Sequence, residues 1–301
     1  IQDCKSLLAN SQVSSHICFG IVSTGQVYGH TLYVYPSSTF DNISLLQSSI
    51  HSLWGSLQGS SLGDGGRYTA ASSFETFPFP AALLDSAASD PTHEATRHSL
   101  EAIGERYHQF RAELMVANNE GLTSTYNRFH DPAETSSGLL ELRRLHGEMD
   151  QTVLAAYGWS DVSTACGFGL DYLDLEDDAQ LPDELQQRID DGNLFFWDAG
   201  DALDFQGQLT DYGAITGRRK LPWRYRWPDS VRDDVLARLL ALNAERYEEE
   251  VAMGLHSKGG KQAAKASRAV GGSAPGGKGR GRPPKTPPPD SGQTIQIGLV
   301  L

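Results

Sequence analysis

The stretch SSFETFPFP, residues 72–80, divides the chain into two differently built parts. It places three phenylalanines beside two prolines, and prolines two residues apart exclude both a helix interior and a central strand. The stretch is therefore predicted to be extended, with its aromatic rings either buried against a neighbouring element or offered to a partner. We take Pro80 as the boundary between an α+β part, residues 1–80, and a mainly helical part, residues 81–255.

The sequence before this boundary alternates between strand-like and helical patterns. Residues 15–36 contain two β-rich runs around a Thr-Gly-Gln turn, which predicts a β-hairpin. Apolar residues then recur at spacings of three and four through residues 40–58, which predicts an amphipathic helix capped by Asp41 or Asn42. Residues 59–73 are predicted to form a glycine-rich loop.

After the boundary the pattern is mainly helical. Apolar periodicity predicts three long helices, at residues 92–119, 138–157 and 228–252. A polar loop containing a short helix is expected at residues 121–137. The acidic residues 159–214 are predicted to form an irregular, solvated loop.

The net charge of −13 is unevenly distributed along the chain. Residues after His256 carry eight basic side chains and one acidic side chain, a net charge of +7, which leaves −20 for residues 1–255. Residues 256–301 are rich in Gly, Pro, Ser and Lys and poor in large apolar side chains, so we predict a disordered basic tail. Such asymmetry is typical of a tail that binds a polyanion.

Composition also bears on location. No run approaches the roughly 18 apolar residues of a membrane span, so no membrane partner is predicted. The three cysteines, Cys4, Cys18 and Cys166, show no paired spacing and favour a reducing cytoplasm. The chain opens on Ile1 without a signal-peptide pattern, which suggests a fragment or a processed piece.

The sequence contains no common catalytic constellation. A dinucleotide-binding glycine loop, a serine nucleophile elbow, a metal-nuclease pattern and an Asn-Pro-Pro-aromatic motif are all absent. His146 and Asp150 lie four residues apart on a predicted helix, and a solvated charged face explains them better than an acid/base pair. No catalytic or metal-binding residue is therefore predicted.

Two basic segments suit a nucleic acid. In GRRKLPWRYRWP, residues 217–228, cations that can neutralise phosphates alternate with three aromatic rings. The alternative is a strand whose aromatics face the core while its arginines face water or the acidic loop before it. The candidate DNA contacts in this segment are Arg218, Arg219, Lys220, Arg224 and Arg226.

The second basic segment is GKGRGRPPK, residues 277–285. Its centre, Arg280-Gly281-Arg282-Pro283, resembles the AT-hook, in which glycine lets the backbone enter the minor groove while both arginines spread along its floor. The proline that usually precedes the first arginine of that motif is Gly279 here.

Several longer phrases carry a resemblance to one enzyme family. They are TGQVYGHTLYVYPSSTF, SSLGDGGRYTAASSFETFPFP, MVANNEGLTSTYNRFHDP, LLELRRLHGEMDQTVLAAYGW and RYRWPDSVRDDVLARLLALNAERYEEE. In this order they look like the C-terminal portion of large bacterial DNA adenine methyltransferases, the MmeI-like type IIG/IIL restriction-modification enzymes and related phage-defence methyltransferases. The resemblance covers nearly all of residues 15–285.

The resemblance implies a division of labour. Residues 1–80 would be a target-recognition module built from a β-hairpin and a helix, residues 81–255 a helical domain that helps to clamp double-stranded DNA, and residues 256–301 a basic tail. The S-adenosylmethionine loop and the catalytic motif of the family are expected in a methyltransferase domain that precedes Ile1 or acts in trans. This chain alone would then bind no cofactor and catalyse no methyl transfer.

Base reading needs hydrogen-bonding side chains on loops that reach a groove. The predicted hairpin turn offers Ser23, Thr24, Gln26, Tyr28 and His30, and the glycine-rich loop offers Ser60, Asp64 and Arg67. In this interpretation SSFETFPFP fills the seam between the two parts, and the competing interpretation wedges Phe74 or Phe77 into DNA. A different class of function also remains open, a non-catalytic regulatory or scaffold protein that adheres to DNA through its tail.

Overall fold

The computed structural model describes residues 5–62, 65–84, 90–177, 179–215 and 220–255, and the fold is α+β. The strands are β1 Ser6–Ser11, β2 Val13–Ser14, β3 Phe19–Ser23, β4 Leu32–Tyr35, β5 Ser60–Leu62, β6 Gly65–Arg67, β7 Gly167–Leu170, β8 Phe195–Phe196 and β9 Trp223–Arg226. The helices are α1 Phe40–Gln47, α2 Ser49–Gln58, α3 Pro91–Asn118, α4 Leu122–Phe129, α5 Ser137–Ala156, α6 Asp183–Asp190, α7 Ala199–Asp211 and α8 Asp229–Ala252.

The first sheet has the order β3-β1-β4, and all of its pairs are antiparallel. Both strands predicted within residues 15–36 exist, but the hairpin prediction was wrong because β1 lies between them. Four consecutive residues of β1, from Leu7 to Asn10, are buried. A strand covered on both faces loses the alternation of polar and apolar residues by which an exposed strand is recognised, so β1 left no clear signal in the sequence.

The helix predicted at residues 40–58 is broken at Ser48. Ser48 has an extended backbone, and its hydroxyl accepts a hydrogen bond from the N–H of His51, which caps α2. Thr39, rather than Asp41 or Asn42, is the N-cap residue of α1. Two helices that share one apolar side therefore replace one continuous helix, and local capping decides the break.

The stretch SSFETFPFP, residues 72–80, begins within a helical turn. A π-helical turn spans Ala70–Phe74, so the prediction of a fully extended segment was wrong there, and the chain leaves regular structure only from residue 75. The prediction that the rings fill the seam is confirmed, because Phe74, Phe77 and Phe79 are buried in one cluster with residues from both sides of Pro80. Burial also contradicts the competing interpretation, in which Phe74 or Phe77 enters DNA.

Hydrogen bonds tie this seam to later helices. The Tyr157 hydroxyl donates to the carbonyl oxygen of Pro78 at 2.9 Å, and the Asn243 side chain donates to that of Thr76 at 2.7 Å. The ring of Phe77 meets that of His51 edge-on, with 4.6 Å between centroids. The segment therefore joins the N-terminal sheet and α2 to the helices after the boundary.

The region predicted as a glycine-rich loop, residues 59–73, contains strands. β6 pairs with both β5 and β2 to give the order β2-β6-β5. The prediction that residues 159–214 form an irregular loop was also wrong. These residues contain β7, α6, β8 and α7 around a separate apolar core, and the third sheet has the order β8-β7-β9.

Strand β9 lies within the segment GRRKLPWRYRWP. Trp223 and Trp227 of this segment are buried, as the alternative interpretation of a strand with core-facing aromatics predicts.

The helices of the second part follow the predicted pattern closely. Helix α3 is capped by Asp90, and the short helix expected at residues 121–137 is α4. The buried guanidinium of Arg111, on α3, donates to the Phe19 carbonyl oxygen at 2.6 Å and to Gln47 Oε1 at 3.0 Å. Among the described residues, no helix combines the length and apolarity that crossing a bilayer requires.

Candidate nucleic-acid interface

An open cavity of about 380 Å³ lies where the N-terminal module meets α4, α5 and β9. One face of α2 forms a wall through Ser49, Ser52 and Ser56, which recur at helical spacing. The remaining lining residues are Ser14, Ser15, His16, Ile17, Gln47, Leu53, Gly55, Gly59, Arg67, Tyr68, Tyr126, Phe129, His130, His146, Asp171, Arg224, Tyr225, Arg226, Trp227 and Arg232.

The cavity is cationic although the chain is acidic. Its described lining includes four arginines and a single carboxylate, Asp171, whereas the whole chain carries a net charge of −13. Asp171 is shared, because Arg224 Nε lies 3.2 Å and Arg226 Nε 3.8 Å from its oxygens. The exposed Arg67 forms no recorded ion pair with the described residues. Asp229, which does not line the cavity, pairs with both Arg226 and Arg232, so two carboxylates compensate four arginines and an excess of two positive charges remains.

Two histidines stack at one side of the cavity. The rings of His16 and His130 are 5.0 Å apart with 22° between their planes. His16 Nε2 lies 2.8 Å from Asn127 Oδ1, so this nitrogen donates and Nδ1 is left as an acceptor. Nδ1 of His130 accepts from the backbone N–H of Tyr225 at 3.0 Å, so the proton of the neutral ring is on Nε2.

The environment keeps both rings neutral. Burial lowers the pKa of His16, and the nearby Arg224 lowers it further, against the hydrogen bond that His16 donates to Asn127, which raises it. Burial also holds the pKa of His130 well below its ordinary value, with His16 and Arg224 acting in the same direction. At neutral pH the pair thus presents one acceptor and one donor.

A third histidine belongs to a group that resembles a catalytic triad only in composition. His146 Nε2 lies 3.1 Å from Ser49 Oγ and also 3.7 Å from an oxygen of Asp150. A triad needs the acid and the nucleophile on opposite ring nitrogens, and here both face the same one. Asp150 is fully buried, so the prediction of a solvated charged face was wrong for it. The group holds α5 against α2.

The five candidate base-reading residues of the predicted hairpin turn lie outside the cavity. In the connection between β3 and β4, Gln26 and His30 are exposed, and Thr24 Oγ1 donates to the Lys5 carbonyl oxygen at 3.1 Å. The Tyr28 hydroxyl hydrogen-bonds the carbonyl oxygen of Ser23. None of these five residues lines the cavity, so they would have to contact DNA as a separate surface.

The basic candidates divide into two groups. Arg67, Arg224 and Arg226 come together around the cavity although they are distant in sequence. Lys220 is exposed just before β9. The remaining candidates, Asp64, Arg218, Arg219, Arg280, Gly281, Arg282 and Pro283, lie outside the described residues.

Sequence reasoning missed His16, His130, Arg232 and the serines of α2. Isolated histidines and helix-surface serines carry no spacing signal of their own, and their meeting depends on how α2, α4 and β9 pack. Within the described ranges, His, Cys, Asp and Glu side chains form no group of three suited to a metal ion.

Comparison with known proteins identifies a similarity to a solved restriction-modification enzyme. No protein-family model matches the chain. No curated protein matches it. The chain is similar to the type IIL restriction-modification enzyme MmeI, solved in complex with DNA, with a TM-score of 0.40 and 24% identity. The similarity covers 53% of this chain and 19% of that chain.

Proposed function

We propose that this chain binds double-stranded DNA and forms the target-recognition part of a site-specific DNA adenine methyltransferase of the restriction-modification or phage-defence kind. The observation that carries DNA binding is the arginine-lined cavity on an otherwise acidic chain. Acidic proteins repel a polyanion at long range, so phosphates are expected to bind where arginine side chains are in local excess.

Arginine is suited to this role because its planar guanidinium donates two parallel hydrogen bonds to a phosphate. Arg67 is the most available, since it is exposed at the end of β6 and forms no recorded ion pair with the described residues. Arg224 already donates to the Ser15 carbonyl oxygen and pairs with Asp171, so it is held in place at the rim. We assign phosphate contact first to Arg67 and then to Arg224.

The recognition role rests on the sequence resemblance. The family divides base reading and methyl transfer between domains, and the motifs of methyl transfer are absent from these 301 residues. S-adenosylmethionine would therefore bind a methyltransferase domain, in cis or in trans. This chain would position the DNA for it, through the cavity face, the connection between β3 and β4, and the basic tail.

The test is duplex binding by the full chain, measured by fluorescence anisotropy over a salt series. We expect Arg67→Gln to weaken binding and to reduce the slope of log K against log salt by about 1, as loss of one phosphate contact does. Arg106→Gln is the matched control, because Arg106 is also exposed but does not line the cavity. Unchanged affinity and slope for both Arg67→Gln and Arg224→Gln would contradict the proposal.

A second candidate function is a non-catalytic regulatory or scaffold protein. The acidic lobe formed by β7, α6, β8 and α7 favours it, because Trp197 is 62% exposed and Tyr172 57% exposed there, which is typical of a protein-binding surface. In the same titration, the double variant Arg280→Ala/Arg282→Ala distinguishes the two. Loss of all binding with this variant supports the second candidate, and residual binding that is sensitive to Arg67 supports the first.

A further inference from the structure

We propose that the cavity binds a single nucleotide unit, a phosphate with its attached base, rather than only the backbone of an intact duplex. This inference rests on the proposed function and deepens it. A volume of about 380 Å³ falls within the range of small-ligand sites, which begins near 300 Å³. A base pair within a stacked duplex cannot enter such a space, whereas one unpaired nucleotide can.

The phosphate end of the site is the rim around α2. Ser52 and Ser56 present their hydroxyls on the same face of this helix, and neither hydroxyl has a recorded hydrogen bond to the described residues. Arg67 and Arg232 line the same cavity, Arg232 being held by Asp229 at 3.1 Å. Serine hydroxyls and guanidinium groups together are suited to bind the oxygens of one phosphate.

The base end is the side lined by rings. Tyr126, Phe129 and Trp227 are buried, and they give the cavity an apolar wall on which a planar base can pack. Trp227 also belongs to the apolar cluster that includes Val235 and Leu239, so this wall is continuous with the core.

The histidine pair completes the recognition. His16 offers Nδ1 as an acceptor and His130 offers Nε2–H as a donor, because their other nitrogens are engaged by Asn127 and by the backbone of Tyr225. An adjacent acceptor and donor match the edge of a nucleobase, which carries the same two kinds of group. Arg224 lies near both rings and is paired with Asp171, and Arg143 also lies near His130.

The experiment titrates the full chain with deoxynucleoside monophosphates, and separately with inorganic phosphate and with deoxynucleosides, by calorimetry. We expect at least one monophosphate to bind about tenfold more tightly than either of its parts, since both ends of the site are then filled. Arg67→Gln should lower monophosphate affinity about tenfold without affecting the deoxynucleoside. His130→Leu, which removes the ring donor, should lower deoxynucleoside and monophosphate affinity but not phosphate affinity.

Local variants keep the test independent of folding. Ser52→Ala/Ser56→Ala changes only the rim and should weaken the monophosphate, whereas Ser99→Ala, on the exposed face of α3, should not. A second arm uses duplexes that carry a fluorescent purine analogue, either paired or opposite an abasic position. A fluorescence change confined to the unpaired analogue, and abolished by Ser52→Ala/Ser56→Ala, identifies a nucleotide of a DNA strand as the ligand. Calorimetric binding of free monophosphates without a fluorescence change in either duplex identifies a free nucleotide as the ligand.

Two results would overturn the inference. Equal affinity for phosphate and for every monophosphate would leave an anion site only. Absence of monophosphate binding and of any analogue response, while the duplex still binds in an Arg67-dependent manner, would remove this inference and leave the proposed function standing. Failure of duplex binding as well would remove both.

Discussion

The Asp150 carboxylate of α5 accepts a hydrogen bond from the backbone N–H of Ser49, the first residue of α2, at 2.8 Å. Asp150 is fully buried, and its second oxygen lies 3.7 Å from His146 Nε2. The N-terminus of α2 is therefore satisfied by a carboxylate from a different helix, which also complements the helix dipole. This bond fixes one wall of the cavity.

Replacing Asp150 should separate its charge from its hydrogen bond. Asp150→Ala leaves the Ser49 N–H without its acceptor and should lower the free energy of unfolding by about 1–3 kcal/mol. Asp150→Asn keeps an acceptor and should cost less. Burial raises the pKa of Asp150 above its ordinary value of 3.8, against the effect of His146, so its contribution to stability is present at low pH and lost as pH rises through the raised pKa.

Urea unfolding at several pH values checks this expectation. The difference in unfolding free energy between the protein and Asp150→Asn should shift in favour of the variant as pH rises from about 4. A difference that is constant across the pH range would show that the carboxylate is not the titrating group.

Helix α1 crosses α3 at Gly104 so closely that a side chain there has no room. A Cβ on Gly104 would overlap the carbonyl oxygen of Phe40. We expect Gly104→Ala to destabilise the protein by about 1–3 kcal/mol, because the two helices must move apart. Gly147→Ala is the control on α5, where no atom lies within 4 Å of the new Cβ, and it should stabilise by about 1 kcal/mol through helix propensity. Thermal unfolding of both variants decides this, and equal shifts would contradict the close approach.

The long helices could be predicted from the sequence because their apolar periodicity is local. Helices α3, α5 and α8 begin and end within one residue of the predicted positions. The burial of Phe77 did not follow from its segment, because a proline-flanked aromatic stretch can be buried or offered to a partner, and only the family resemblance favoured the seam. The α+β class was predicted correctly because strand-like and helical patterns are both local.

Strand pairing and the site were not predictable in this way. The order β3-β1-β4 depends on a central strand buried on both faces, which gives no alternation to detect. The lobe of residues 159–214 buries Phe196 and Phe205 beneath acidic surface residues, and the surface charge dominated its pattern. His16 and His130 come together only through packing, so their stacking has no signal in the sequence.

Arg111 should be the most sensitive arginine of α3. It is 2% exposed and donates to Gln47 Oε1, to the Tyr126 hydroxyl and to the carbonyl oxygen of Phe19. Arg111→Met would remove these three buried hydrogen bonds, while Gln47 Oε1 would still accept from the Phe19 N–H and the Tyr126 hydroxyl would still bond to that of Tyr107. We expect a loss on the order of 3 kcal/mol. Arg106→Met, whose ion pair with Glu148 is exposed, should cost about 0–1 kcal/mol. Chemical denaturation of both variants measures the difference, and similar losses would contradict a structural role for Arg111.

Acid should destabilise the protein partly through His130. Its pKa is held well below the ordinary value of 6.5, first by burial and then by His16 and Arg224, so the folded state binds this proton less readily than the unfolded state. Stability from this group is therefore fully present above pH 6.5 and is lost as pH falls toward the lowered pKa.

The variant His130→Gln isolates this contribution. A glutamine amide can still accept from the Tyr225 N–H and donate into the cavity, but it does not titrate. The unfolding free energy of His130→Gln should therefore fall less steeply than that of the unmodified chain as pH is lowered from 6.5. Buried His51, whose pKa is lowered to about 3, contributes to the slope equally in both proteins. Equal slopes for the two proteins would mean that His130 does not titrate between the folded and unfolded states, and the neutral donor assigned to the cavity would lose its basis.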